Sequence, residues 1–240
     1  STLSFLYDGL YFDTKFIFKF NALNIVLADA SITLDDISTE KLEQARYIYL
    51  ENYPQANIKI EGHTVTFKGK ASHGSLPWFG SNAGLHLLNY IARLRHIPEL
   101  RSLFHLYHHG DGKRFGGDYK SDNFTDSSYC IGKIKYDGEK LTFYVNMRLP
   151  ETINPQDACD NVAEKMGGEV KLLSSSEALV IDPESDMVRV LMDAYQKETH
   201  DYTSKPLAIG GGTYAKESKN TLAFGSAFPG RDNRIHDNEE

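Results

Sequence analysis

Apolar and polar residues alternate with period two along Lys15 to Phe20, which puts Phe16, Phe18 and Phe20 on one face and Lys15, Ile17 and Lys19 on the other. The same alternation returns near the middle of the chain. There Leu141, Phe143, Val145, Met147 and Leu149 share one face, and Thr142, Tyr144, Asn146 and Arg148 the opposite one. Further strand signal covers 25–27, 30–34, 58–60, 64–67, 129–136 and 169–173. Asp8-Gly9, Glu61-Gly62 and Asp137-Gly138 are hairpin turn signals between such runs, so the stretch from Leu3 to Phe12 is expected to be a hairpin.

Three stretches carry the wider helical spacing. Leu42, Ala45, Tyr49 and Tyr53 form a stripe that follows a cap at Ser38 or Thr39 and ends at Pro54. Ala83, Leu87, Ile91 and Leu94 follow a cap at Ser81 or Asn82. Ala158, Val162 and Met166 follow Asn154-Pro155, with Gly167-Gly168 as the stop. The segment from His96 to Ser128 is rich in Gly, Asp and His and predicts a long irregular connection.

Counted from Thr64, the order is strand, helix, strand, strand, helix, strand. That is the split β-α-β pattern of a two-layer, α+β, ferredoxin-like sandwich, a fold that says little about function. A boundary is expected in the Ser174 to Glu177 stretch, dividing the chain into 1–177 and 178–240. The second part has a helix bearing Met187, Val188, Leu191, Ala194 and Tyr195, then short apolar runs around a glycine triplet.

Composition narrows the function classes. A net charge of −7 is the wrong sign for binding a phosphate backbone, so nucleic acid is not an expected partner. No apolar run approaches the roughly 18 residues a membrane helix needs. With only 2 Cys, Cys130 and Cys159, a disulfide framework is not expected, and a reducing cytoplasm is the natural setting. Ser1 is no initiator, and the chain stops in a charged run, which suggests a piece of a longer protein.

Several groups could carry chemistry. His73 follows the strand pattern of Val65 to Phe67 in a loop flanked by Ser72, Gly74 and Ser75, a place to display an imidazole. Gly210, Gly211, Gly212 and Thr213 lack Walker spacing but could turn backbone N–H groups toward a carboxylate; a plain tight turn is the alternative. His105, His108 and His109 have helical ligand spacing, yet Gly110-Asp111-Gly112 follows, which favours a solvated loop. Arg148, at a strand end on the polar face, suits two-pronged capture of a carboxylate, or an ordinary surface ion pair. His236, beside Asp237, could ligate a metal or lie in a solvated tail.

Five ordered pieces together resemble the zinc-dependent dipeptidase family that includes carnosinases and aminoacylases, most of all its bacterial dipeptidase V-like branch. They are GKASHGSLPWFGSNAG, HHGD, NMRLPETINP, IGGGTYAKE and AFGSAFPGRDNRIHDNEE. The resemblance implies that the first part is a lid over a catalytic domain, and that 178–240 is an incomplete C-terminal piece of that α/β domain. It implies that His73 stabilises the oxyanion, and that Asn24 lies on the substrate side, although Leu27 stands where the family has proline. Arg148 would hold the substrate's free carboxylate, and Gly211, Gly212 and Thr213 would line the same pocket. His236 would be one ligand of a two-zinc centre. A dipeptide or small peptide is the implied substrate, and the extension before Thr64 implies a monomer. The family's remaining metal ligands and general base lie upstream of the lid and have no counterpart here, so this chain alone is expected to be inactive. A non-catalytic peptide-binding module, or a deacylase or desuccinylase of the same family, are the rival functions.

Overall fold

The computed structural model describes residues 1–7, 15–121, 125–166, 169–209, 212–225 and 228–229. Strands β1 (Thr2–Tyr7), β2 (Phe16–Phe18) and β3 (Asp29–Thr33) come first, followed by helix α1 (Thr39–Asn52) and the hairpin β4 (Asn57–Glu61) and β5 (Thr64–Lys68). Helices α2 (Ala83–Leu94) and α3 (Pro98–Tyr107) lead to the hairpin β6 (Ser128–Tyr136) and β7 (Leu141–Arg148). Helix α4 (Pro155–Met166), strand β8 (Glu169–Ser174) and helix α5 (Asp186–Thr199) complete the order.

Two four-stranded antiparallel sheets result, one ordered β6-β7-β1-β8 and the other β2-β3-β5-β4. This corrects the strand assignment made from Thr64 onward. Thr64–Lys68 pairs with β3 and β4 in the second sheet, and Thr2–Tyr7 takes the place beside β7 and β8 instead. The Asp8-Gly9 turn and the second arm of the hairpin expected over Leu3 to Phe12 lie outside the described residues. Local alternation marks a strand without naming its partner, because pairing is decided by cross-strand packing.

Helix α2 joins the two sheets. Nine of its side positions, Ala83 to Leu85 and Leu87 to Ala92, are buried, the pattern of a helix enclosed on nearly every side. Its N-terminal turn meets β6, where a Cβ on Gly84 would lie 2.7 Å from Ile134 Cδ1. Farther along, Tyr90 packs on Phe67 of β5 and donates its hydroxyl to the Leu42 carbonyl of α1 at 2.8 Å. The Asn82 side chain caps α2 by accepting from Leu85 N at 3.1 Å, and donates from Nδ2 to the Ile131 carbonyl at 2.8 Å.

Strand β7 keeps its expected faces: Leu141, Phe143, Val145 and Met147 are buried, and the alternate residues are half-exposed. The irregular connection expected from His96 to Ser128 is instead partly helical. Pro98 occupies the first turn of α3, and Leu100, Leu103, Phe104 and Tyr107 form its buried stripe. The stretch 25–27 is not a strand; it makes only an isolated bridge between Ile25 and His73.

Beyond Ser174 the described residues are largely exposed. Only Val188 of α5 is buried, and Val190, Tyr202, Leu207, Ile209 and Tyr214 stand open. Within this part Lys216 donates to the Glu177 carbonyl at 2.8 Å.

Candidate active site

The loop from Gly69 to Asn82 leaves β5, returns to α2, and is pinched shut at its base. Lys70 and Ser81 exchange backbone hydrogen bonds at 3.0 and 2.9 Å. The two passes come so close at Gly69 that a Cβ there would fall 1.9 Å from the Ser81 carbonyl oxygen, which excludes every other residue. Within the loop Ser72 Oγ donates to the Leu76 carbonyl at 2.7 Å and Leu76 N to the His73 carbonyl at 2.9 Å. A short 3-10 turn, Pro77–Phe79, closes it and leaves Leu76, Trp78 and Phe79 exposed.

His73 is half-buried rather than sunk in the core. Its Nδ1 lies 2.7 Å from Ser75 Oγ and receives the Ser75 backbone N–H at 3.4 Å. The next residue, Gly74, is fully enclosed. Its N–H donates to the Asn24 carbonyl at 2.6 Å, and its carbonyl accepts from the buried Ser128 hydroxyl at 2.8 Å. A Cβ on Gly74 would meet Asn24 O at 3.0 Å and Asn146 Oδ1 at 3.1 Å.

Asn24 is brought to this point by a second glycine. The register of β6 shifts between Ile131 and Lys133, and at the intervening Gly132 the Leu23 carbonyl would lie 2.3 Å from a Cβ. A bulged strand with no side chain lets the 22–24 backbone lie against it.

Arg148 stands two residues beyond Asn146 on the half-exposed face of β7, and its Nε donates to Asn146 Oδ1 at 3.1 Å. Burial is the main influence on its guanidinium, pulling it below its ordinary value. Among the described residues no carboxylate shares an ion pair with it, and the titrating groups that interact with it are the Cys130 thiol and the Ser1 amino group. A half-buried guanidinium keeps its charge, so the site is predisposed to an anion.

The structure therefore gathers His73, Asn24 and Arg148 around Gly74 and Asn146. Gly212 and Thr213 are exposed; Thr213 Oγ1 accepts from Ala215 N at 3.3 Å, and a Cβ on Gly212 would meet open space. Gly211 and His236 lie outside the described residues. Asn146, Ser128 and Ser75 were not singled out from sequence as site residues. Asn146 had a usable signal, since it shares a strand face with Arg148.

Of the three clustered histidines, His105 on α3 and His109 beyond it are exposed, and His108 is half-buried. His108 ends α3 with its ring stacked on Phe104, centroids 4.7 Å apart. Burial, with His109 and Arg114 beside it, holds its imidazole down to about 4. Among the described residues no group of three or more His, Cys, Asp or Glu side chains is placed to hold a metal ion, so these do not by themselves provide a zinc site. No described helix is long and apolar enough to cross a membrane.

No family model matches the chain. It is similar to proteins of Staphylococcus aureus strains MRSA252 and USA300, each named "Putative dipeptidase". Each is 30% identical over 224 residues, covering 89% of this chain and 48% of the relative. The likeness supports a dipeptidase family, and the chain spans about half the length of the curated relatives it matches.

Proposed function

We propose that this chain is the substrate-capping part of a peptide hydrolase that acts on dipeptides, with a ferredoxin-like layer formed by β1, α2, β6, β7, α4 and β8. The observation that carries the proposal is the half-buried Arg148, without a carboxylate partner among the described residues and joined through Asn146 to the loop of His73. A dipeptide ends in a free carboxylate close to its only peptide bond. Arg148 binds that carboxylate through a charged, two-pronged contact. His73 then meets the scissile carbonyl and donates to the oxygen as negative charge develops there. Asn24, Gly211, Gly212 and Thr213 belong to the same pocket in this proposal.

Two zinc ions, with His236 as one ligand, form part of the proposal; when bound, they supply hydroxide and polarise the carbonyl. The described residues furnish no such ligand set, so the steps assigned to this chain are binding and charge stabilisation alone. The proposal also includes a monomer, and a cytoplasmic setting with which two free, buried cysteines agree.

The test compares dipeptides with their C-terminally amidated forms, using a chain extended to the length of the relatives. Arg148→Ala should lower kcat/KM for free dipeptides by roughly 10- to 100-fold, the range of a charge-assisted contact, and leave the amides little changed. Normal dipeptide cleavage by the variant overturns the assignment. One rival is a peptide-binding module with no chemistry, in keeping with the lack of a metal-ligand cluster among the described residues; peptide binding without hydrolysis by the extended chain would establish it.

A further inference from the structure

We propose that Ser75 is a positioning residue that sets the tautomer of His73, leaving the imidazole proton on Nε2. The backbone nitrogen of Ser75 points its hydrogen at His73 Nδ1 from 3.4 Å. An amide nitrogen donates and never accepts, so Nδ1 must present its lone pair. The Ser75 hydroxyl, 2.7 Å from the same atom, could act in either sense alone and here is a second donor. A neutral imidazole has one N–H, which is then on Nε2.

The surrounding loop holds this arrangement in place. Gly74 N to the Asn24 carbonyl and Leu76 N to the His73 carbonyl fix the backbone on both sides of the ring. Gly74 cannot shift, because Asn24 and Asn146 fill the space around its Cα. Ser75 thus acts on the ring rather than merely closing the turn.

The consequence for chemistry rests on the function proposed above. A ring with its proton on Nε2 offers that nitrogen as a donor to a carbonyl oxygen gaining charge, and cannot use it as a base. Ser75 would thereby assign His73 to oxyanion stabilisation. The tautomer itself is independent of whether the protein hydrolyses peptides.

The experiment is a long-range proton–nitrogen correlation spectrum of the imidazoles in the 15N-labelled chain, without metal or substrate, at about pH 8, where an ordinary His is neutral. The expected result is a His73 resonance pair with Nε2 protonated and Nδ1 bare. Ser75→Ala keeps the backbone N–H and removes only a hydroxyl that can serve either tautomer, so the proton should stay on Nε2, whereas Ser75→Pro removes the backbone donor and should move the ratio toward Nδ1. A ring protonated on Nδ1 in the wild type or in Ser75→Ala, or a ratio unmoved in Ser75→Pro, overturns the proposal. In the extended, active protein Ser75→Pro should lower kcat more than it changes KM, and Ser75→Ala should lower kcat far less. An unchanged kcat beside an altered tautomer overturns the positioning role. Failure of the Arg148 test with the tautomer intact would instead refute the dipeptidase proposal alone.

Discussion

Arg148 donates its Nε–H to the side-chain oxygen of Asn146 at 3.1 Å, so the cation is steered by a neutral amide and not by a carboxylate. That oxygen also abuts Gly74, the residue after His73. The geometry of the guanidinium and of the imidazole loop is therefore set at one contact.

Gly74→Ala should disturb both sides of that contact. The added methyl would press on the Asn24 carbonyl at 3.0 Å and on Asn146 Oδ1 at 3.1 Å, and only the second is a side chain. Overpacking of this kind costs about 1–3 kcal/mol. Urea unfolding should show a lower midpoint with an unchanged slope.

Asn82 has two duties, as cap of α2 and as donor to the Ile131 carbonyl on β6. Asn82→Ala removes a cap worth about 1 kcal/mol and strands a buried carbonyl at a cost of about 1–3 kcal/mol. Asn82→Ser should recover only the capping share. The two variants, compared by chemical denaturation, separate the contributions.

Acid should destabilise the fold well above the carboxylate range. Burial against Tyr49, Tyr53, Phe67 and Phe104, with His108 nearby, pulls the His86 imidazole down to about 4. The unfolded chain, with His86 near 6.5, binds the extra proton first, so stability is full above that value and falls as pH drops toward 4. The loss from His86 is roughly 2–3 kcal/mol. His108, held down to about 4 but more exposed, acts in the same direction with a smaller weight. Thermal unfolding between pH 7 and pH 4.5 checks this: His86→Gln should be less stable at neutrality yet lose less on acidification.

Neither cysteine should react with a thiol reagent in the folded protein. Burial pushes the Cys130 thiol up to about 12 and Cys159 up to about 11, so the reactive thiolate is scarce near neutrality. Both should label promptly in denaturant. Rapid labelling of Cys130 under native conditions would contradict its buried place on β6, opposite Asn146 of β7.

Helix α3 was legible in principle but was not found. Pro98 and the stripe Leu100, Leu103, Phe104 and Tyr107 have the required spacing, but the histidines and glycines that follow outweighed them. The capped helices α1 and α2 and the hairpins at Glu61-Gly62 and Asp137-Gly138 were read correctly because their signals are local. Asp137 Oδ1 accepting from Lys140 N at 2.9 Å is one such signal, complete within three residues. Ser128 has none: it matters only because Gly74 is folded against it.

The sequence by itself determined the local elements, their caps, and the two faces of β7, because backbone hydrogen bonding and side-chain periodicity act over a few residues. Only the tertiary structure decided that β1, not β5, sits beside β7, and that Asn24, His73 and Arg148 meet around one glycine. Those pairings join residues far apart in the chain. Their energy comes from packing and cross-strand contacts, which leave no periodic trace in the order of amino acids.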